Sequence, residues 1–165
     1  MMSGEMTSRG ALPSERLERA AHALRSRGLP LTQQRRAILE RFLGCTDHPA
    51  ADTLHADVAA RVPALSRATV YRTLETLVEL GLAVRIAHPG SEQRYDPRTD
   101  LHHHLVCDRC GAVRDHEATE LAALTLPRRT RGFVAQSYSV QFRGLCAACA
   151  RTTDRRRPAS RRNGA

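Results

Sequence analysis

The chain has 165 residues, enough for one ordinary domain or two small ones. Hydrophobic residues make up 41% of it and aromatic residues only 4%, with no Trp, so two small cores would be thin without a metal or a partner subunit. The formal net charge is +9, and all 26 basic residues are arginines. This balance favours an acidic partner, with nucleic acid ahead of an anionic membrane. A genome rich in G and C explains the choice of Arg over Lys but not the excess over Asp and Glu.

Two absences narrow the class of protein further. No apolar run approaches membrane-spanning length, and the N-terminal sequence MMSGEMTSRGALPSERLERAA lacks the apolar segment of a signal peptide. We therefore expect a cytoplasmic protein with no membrane partner. In a reducing compartment, five cysteines argue against a disulfide framework and favour metal or thiol chemistry.

The first half of the chain carries apolar residues at helical spacing. Residues 1–12 are small and polar and are predicted to be disordered, and the first helix begins at Pro13 and ends by Gly28. Thr32 predicts the N-cap of a second helix, and Gly44 predicts its end. A third helical segment lies within HPAADTLHADVAARVP, with Leu54 and Val58 four residues apart, and ends at Pro63.

The fourth helix, within SRATVYRTLETLVELG, is the candidate for DNA recognition. Ser66 is a good N-cap, and one face carries the apolar residues Val70, Leu74, Leu77 and Val78. The following segment LAVRIAHPGSEQRYD alternates around HPGSE, which predicts a β-hairpin. Helices followed by a hairpin are typical of a winged helix-turn-helix, here over residues 13–96 with the hairpin as the wing. An ordinary helical domain with a surface hairpin is the alternative.

The composition changes after Pro97, where most of the cysteine and histidine lies. HHLVCDRCGAVRDHE alternates around a CxxCG turn, ELAALTL predicts a short helix, and FVAQSYSVQFRGLC alternates as a strand. These elements predict a small α/β domain over residues 97–150, so that the whole chain is α+β. Residues 151–165 form an arginine-rich tail that is predicted to be disordered.

Four of the five cysteines form two CxxC pairs. Two such knuckles complete the tetrahedral sulfur cage that Zn²⁺ favours, which predicts a structural zinc site of Cys107, Cys110, Cys146 and Cys149. A redox CxxC is the alternative, but the presence of two pairs disfavours it. Cys45 has no CxxC partner, and burial at a helix end explains it.

The run LHHHLVC contains more ligands than a sulfur-filled zinc site needs. In a strand, alternate residues face one side, so His102 and His104 point together while His103 points away. Two imidazoles supply half of a second site, and the candidates for its remaining ligands are Asp96, Asp115 and His48. Imidazole mixed with carboxylate suits Fe²⁺, Mn²⁺, Co²⁺ or Zn²⁺. The alternative is that the aspartates are ordinary turn residues.

The motifs LTQQRRAILE, HPAADTLHADV, SRATVYRTLETLVELGLA, RYD, HHHLVCDRCG and GLCAAC, in this order, resemble the ferric uptake regulator family of metal-dependent repressors. The resemblance covers about Leu31 to Cys149. It implies a homodimer with an N-terminal winged helix, a C-terminal α/β dimerisation domain and a structural zinc held by the four cysteines. It also implies a regulatory metal between the domains, at the matching positions His48, Asp96, His102, His104 and Asp115.

Branches of this family differ at the regulatory metal. Iron-sensing members usually carry Glu where this chain has Asp96 and Asp115, and aspartate at both positions resembles the peroxide-sensing branch. Zinc sensors bring a further Cys from the wing, and HPGSEQRYD contains none. The resemblance implies that Fe²⁺ reacts with hydrogen peroxide, that His48 or His102 is then oxidised, and that Mn²⁺ holds the same shape without that chemistry.

The expected partner is double-stranded operator DNA with an inverted repeat, read by the dimer, with no small-molecule substrate and no enzymatic activity. The resemblance places the fourth helix in the major groove, with DNA contacts predicted from Ser66, Arg67, Thr69, Tyr71 and Arg72. An iron-sensing repressor is the first alternative. A zinc-dependent hydrolase and a plain zinc-ribbon module without a sensing role are more distant ones.

Overall fold

The computed structural model describes residues 13–86, 92–117, 119, 129–130, 132–134 and 138–154. These residues fall into two compact units, a first unit that ends at Asp100 and a second unit that begins at Leu101. The predicted disordered segment over residues 1–12 lies outside the described residues. No helix within these ranges combines the length and apolar character needed to cross a lipid bilayer.

The first unit begins with four α-helices. In chain order they are α1 Pro13–Ser26, α2 Gln33–Leu43, α3 Ala51–Ala59 and α4 Arg67–Glu79. The Thr32 hydroxyl accepts the N–H of Arg35 at 3.3 Å and so caps α2. The Ser66 hydroxyl accepts the N–H of Thr69 at 3.1 Å and caps α4. Both predicted caps are confirmed, because each hydroxyl oxygen accepts a backbone N–H from the first turn of its own helix.

One apolar cluster holds these helices together, and every helix contributes to it. On α4 the predicted apolar face is buried at Val70, Leu74 and Leu77, while Val78 is half-buried at the edge of the cluster. Leu74 is 0% exposed. Truncating such a side chain to Ala costs about 2–5 kcal/mol, so this cluster dominates the stability of the first unit.

Two short antiparallel strands complete the first unit, β1 Val84–Ile86 and β2 Arg94–Asp96. They are the two arms of the predicted hairpin, and residues 87–91 of its turn lie outside the described residues. Ala50 forms an isolated antiparallel bridge with Arg94, and the N–H of Tyr95 donates to the carbonyl of Pro49 at 3.1 Å. The residues just before α3 therefore lie beside β2.

The second unit contains the strands β3 His102–Cys107, β4 Val113–Glu117, β5 Arg129–Thr130, β6 Phe133–Val134 and β7 Gln141–Gly144, followed by the helix α5 Ala147–Asp154. β3 is the middle strand of a three-stranded sheet, antiparallel to β4 and parallel to β7. β5 and β6 form a separate antiparallel pair. The chain is therefore α+β, with helices and small sheets, as predicted.

Three predictions for the second unit meet different outcomes. The single strand expected over residues 133–146 is wrong, because β6 pairs with β5 whereas β7 pairs with β3 in another sheet. Alternation of apolar and polar residues indicates on which face of a sheet each side chain lies. It does not indicate which strand will pair with the segment, so it cannot reveal such a change of partner. α5 continues to Asp154, past residue 151, where the tail is predicted to start. The helix expected in ELAALTL, residues 120–126, lies outside the described residues.

Candidate functional site

Four cysteines of the second unit form a sulfur cage. Cys107 ends β3, Cys110 follows in the turn, and Cys146 and Cys149 lie at the start of α5. Sγ of Cys110 lies 3.7 Å from Sγ of Cys146, and all four sulfur atoms lie within 4.8 Å of one another. Four sulfurs at about 2.3 Å from one Zn²⁺ would be about 3.8 Å apart, whereas a disulfide needs about 2 Å. The donor set fits a tetrahedral zinc ion.

Backbone N–H groups stabilise the anionic form of two of these thiols. The N–H of Cys146 donates to Sγ of Cys107 at 3.3 Å, and this contact, together with the N–H of Cys110, lowers the pKa of Cys107 to about 6. The N–H of Cys149 lowers the pKa of Cys146. Desolvation and the neighbouring sulfurs raise the pKa of Cys149 to about 12. A divalent cation would allow all four sulfurs to ionise together.

The two residues inside the first CxxC pair bind different elements of the second unit. Oδ1 of Asp108 accepts a hydrogen bond from Arg143 of β7 at 2.7 Å. Nη1 of Arg109 donates to the carbonyl of Cys149 at 3.2 Å and to the hydroxyl of Thr152 at 2.6 Å. The first knuckle is thereby tied to β7 and to α5. Sequence reasoning missed both residues, because their partners lie more than thirty positions away and no spacing indicates them.

A second group of side chains that could hold a metal ion lies on one face of β3 and β4. His102 and His104 are 6% and 5% exposed, and their Nε2 atoms are 3.0 Å apart. Asp115 lies opposite His104 on β4, and its Oδ1 is 3.8 Å from Nε2 of His102. Two nitrogens that each lie about 2.1 Å from one ion, at a right angle, are about 3 Å apart. These three side chains therefore fit one part of a coordination sphere.

His103 is separated from this group, as the alternation predicts. Its side chain is 0% exposed and its ring packs against Tyr138, with 5.9 Å between the ring centroids. In the part of the chain that the structure describes, neither ring nitrogen has a hydrogen-bond partner. His103 contributes no ligand atom to the group formed by His102, His104 and Asp115.

His48 and Asp96 form a buried pair within the first unit. Each is 2% exposed, and Nε2 of His48 lies 3.6 Å from Oδ2 of Asp96. His48 directly precedes Pro49 and has a φ of 49°, a left-handed backbone that costs a non-glycine residue about 1–2 kcal/mol. Backbone strain of this kind persists only where the surroundings enforce it, and it clusters at functional sites.

Contacts from nearby segments of the first unit hold this pair in place. Nη1 of Arg94 donates to the carbonyl of His48 at 3.0 Å. The N–H of Arg98 donates to Oδ1 of Asp96 at 2.7 Å, so Oδ2 is the oxygen that faces His48. Nη2 of Arg16 on α1 donates to the carbonyl of Pro97 at 2.7 Å and fixes the segment that follows. Sequence reasoning did not identify these arginines, because side-chain contacts to distant carbonyls leave no pattern in the sequence.

The residues predicted to contact DNA lie on the first two turns of α4 and at its cap. Arg67, Tyr71 and Arg72 are exposed, Tyr71 at 44%. Ser66 and Thr69 differ from them, since their hydroxyl oxygens are 2.9 Å apart and Ser66 also caps the helix. These two hydroxyls shape the start of α4, while the three longer side chains extend from it.

The family model, the related sequences and the similar solved structures all point to one group of regulators. The chain matches the Ferric uptake regulator family over residues 26–143. It is 28% identical over 134 residues to the peroxide-responsive repressor PerR of Staphylococcus epidermidis, which covers 81% of this chain and 89% of that protein. The solved Campylobacter jejuni peroxide stress regulator is 29% identical with a TM-score of 0.59, over 78% of this chain and 93% of that one. A zinc uptake regulator complexed with zinc and DNA is 26% identical with a TM-score of 0.56, over 87% and 99%.

The family match covers more than half of the chain and includes both groups of imidazole and carboxylate ligands. The members of this family are transcriptional regulators, which excludes the zinc-dependent hydrolase considered from the sequence. The chain therefore belongs to the ferric uptake regulator family, whose members are metal-dependent transcriptional regulators and not enzymes.

Proposed function

We propose that this protein is a DNA-binding transcriptional repressor that responds to peroxide through metal-catalysed oxidation of a ligating histidine. The observation that carries the proposal is a pair of partial donor sets. His48 and Asp96 supply two ligand atoms in the first unit, and one face of β3 and β4 supplies three in the second. Neither set alone fills the coordination sphere of a divalent transition metal, whereas both together would suit one. The ion would then join the two units.

The two kinds of donor favour different metals. The four-cysteine cage would hold a structural Zn²⁺, because four thiolates complete the sphere of that ion. The mixed set would hold an exchangeable Fe²⁺ or Mn²⁺, since imidazole and carboxylate bind both, and it comprises His48, Asp96, His102, His104 and Asp115. When bound, Fe²⁺ would supply the electrons that reduce hydrogen peroxide, which Mn²⁺ does not supply.

The residue proposed to be oxidised is His48 or His102. Each presents Nε2 toward a carboxylate of the donor set, His48 toward Asp96 at 3.6 Å and His102 toward Asp115 at 3.8 Å. An oxygen atom added to either ring would weaken its nitrogen as a ligand and so release the ion. His103, on the opposite face of β3, serves as an internal comparison that should stay unmodified.

The first unit would contact DNA. We propose that residues 13–96 form a winged helix-turn-helix, with α4 in the major groove and the β1–β2 pair as the wing. Tyr71 would contact bases, Arg67 and Arg72 would contact phosphates, and Ser66 and Thr69 would hold the start of the helix against the DNA backbone; the exposure of Tyr71 and the hydroxyl pair at the cap support this. The net charge of +9 and the DNA-bound structure of the zinc uptake regulator support this proposal.

Residues 97–150 would form the dimerisation domain. Exposed apolar side chains of the second unit support this assignment, with Phe133 at 66% and Val134 at 60% exposed. Two copies would then read an inverted repeat on double-stranded DNA. Metal binding would select the conformer in which both α4 helices match the half-sites, and loss of the metal would release the operator.

The test compares the two metals before and after peroxide. An operator is first selected from random double-stranded DNA in the presence of Mn²⁺, and binding is then measured by fluorescence anisotropy with Fe²⁺ or Mn²⁺. We expect both metals to support binding and peroxide to release only the Fe²⁺-loaded protein. Mass spectrometry should then find one added oxygen on the peptide containing His48 or the one containing His102. Equal responses of the two metal forms to peroxide would contradict the proposed mechanism.

An iron-sensing repressor is the second candidate, and the family match to ferric uptake regulators favours it. It would use the same ligands but respond to the supply of Fe²⁺, so that operator affinity follows the Fe²⁺ concentration and peroxide leaves it unchanged. A zinc module without a sensing role would instead keep its DNA affinity at every metal concentration after replacement of His102 and His104 together.

A further inference from the structure

The three-residue strand β2 connects the His48–Asp96 pair to α4. Asp96 ends β2, and its carboxylate faces His48. Successive side chains of a strand point to opposite sides, so Tyr95 faces the helices. Tyr95 is 2% exposed and belongs to the apolar cluster of the first unit, which means that its ring cannot move independently of the residues packed around it.

The buried Tyr95 ring ends in a hydrogen bond to α4. Its hydroxyl donates to Oε1 of Glu75 at 2.7 Å. Burial raises the pKa of Tyr95, so the phenol keeps its proton and remains the donor. Arg85, which lies opposite Tyr95 on β1, donates from Nε to the same oxygen at 3.3 Å and from Nη2 to Oε2. Glu75 therefore joins both strands to the helix through one carboxylate.

The other side of β2 is attached to the loop that carries His48. Arg94 donates to the carbonyl of His48 at 3.0 Å, and the N–H of Tyr95 donates to the carbonyl of Pro49 at 3.1 Å. Displacement of this loop or of Asp96 must therefore displace β2 as well. Three consecutive residues, Arg94 to Asp96, connect both members of the pair to the Glu75 carboxylate.

We infer that Tyr95 and Glu75 are positioning residues that transmit occupancy of the His48–Asp96 pair to the orientation of α4. The inference rests on the proposed function, because it needs a metal ion at Asp96 and DNA at α4. A movement of β2 would move the Tyr95 ring, and the hydrogen bond from its hydroxyl would then move Glu75 on α4. Glu75 lies one helical turn after Tyr71. The orientation of α4 within the first unit thereby changes. This change adds to any change in the distance between the two α4 helices of a dimer.

The quantity that tests this role is the ratio of operator affinities with and without Mn²⁺. A residue that only stabilises the fold lowers both affinities, and its effect cancels in the ratio. Tyr95→Phe removes one hydrogen bond to a carboxylate and keeps the ring, and Glu75→Gln removes the charge that binds Arg85. We expect each to lower the ratio about tenfold, the usual effect of losing a hydrogen bond to a charged group.

The matched control is Glu79→Gln, which removes the same charge from an exposed position of the same helix. It should keep the wild-type ratio, and Mn²⁺ affinity without DNA should stay within about twofold for all three variants. If both Tyr95→Phe and Glu75→Gln keep the wild-type ratio, this inference is overturned while the proposed function still stands. A wild-type ratio of one would overturn the proposed function and the inference with it. Should Tyr95→Phe not fold, Glu75→Gln decides, because Glu75 is only half-buried.

Discussion

Replacing Cys110 with Ser should unfold the second unit and leave the first unit folded. The two units differ sharply in their apolar cores. Among the described residues, the buried apolar side chains of the second unit are Val106, Cys107 and Val113. In the first unit, each of the four helices α1 to α4 carries several buried apolar side chains. One of those three is itself a member of the four-cysteine cage, so we expect the stability of the second unit to depend on a bound metal.

The magnitude of this dependence follows from comparing the free energies of apolar burial, backbone ordering and zinc binding. Burial of Val106 and Val113 contributes about 2 kcal/mol each, far less than the backbone entropy of about 1–2 kcal/mol for every ordered residue. A structural zinc site contributes about 10–16 kcal/mol. If four sulfurs share that equally, losing one costs about 2.5–4 kcal/mol, a large part of the roughly 5–15 kcal/mol that stabilises a whole domain.

Calorimetry and zinc analysis of the full chain measure this effect. Wild-type protein should contain stoichiometric zinc and show a transition for each unit, and Cys110→Ser should lose zinc and the transition of the second unit. Cys45→Ala is the matched control, because Cys45 is buried at the end of α2 and donates to the carbonyl of Phe42 at 2.8 Å. It should keep its zinc. A Cys110→Ser protein that retains stoichiometric zinc and both transitions would refute the reasoning.

Four further predictions concern the metals and α4. Replacing both His102 and His104 with Ala should abolish the Mn²⁺ dependence of operator binding in anisotropy assays and leave zinc content unchanged. Because the pKa of Cys107 is lowered to about 6, its sulfur is available to zinc as a thiolate above that pH. Zinc affinity should therefore fall as the pH drops through 6, and competition with a chromophoric chelator across pH would show this loss. Because the pKa of Cys149 is about 12, zinc uptake at pH 7.5 should also release a proton, which titration calorimetry in buffers of different ionisation enthalpy would detect. Ser66→Ala should lower the unfolding free energy by about 1 kcal/mol in urea titrations through loss of the cap, and an unchanged midpoint would contradict the role of that hydroxyl.

Local signals in the sequence account for most of the helices and for the composition of the cage. The caps at Thr32 and Ser66 act within three residues, so the side chain and its acceptor are visible in one short segment. The two CxxC pairs place their ligands in the same local way. Alternation in β3 likewise separates His103 from its two neighbours, because strand geometry alone decides which side chains share a face.

Contacts between distant segments could not be predicted in this way. Glu75 and Tyr95 are 20 residues apart, and no periodicity indicates that a tyrosine hydroxyl will meet that carboxylate. The left-handed backbone of His48 is imposed by packing and by Arg94, against the ordinary preference of a residue before proline. The break between β6 and β7 depends on which strands become neighbours, and that choice is made by the whole second unit.

The central place of β3 has a consequence for how the chain folds. β4 follows β3 after a short turn and pairs with it locally, whereas β7 must return from far along the chain to form the parallel edge. Until it returns, β3 presents an open edge next to the exposed Leu105, and such an edge is a template for pairing with another chain. Cys107 and Cys146 are 39 residues apart, so an ion captured first by the Cys107–Cys110 knuckle would shorten the search for β7. Zinc available while the polypeptide is being synthesised should therefore favour monomer folding over aggregation.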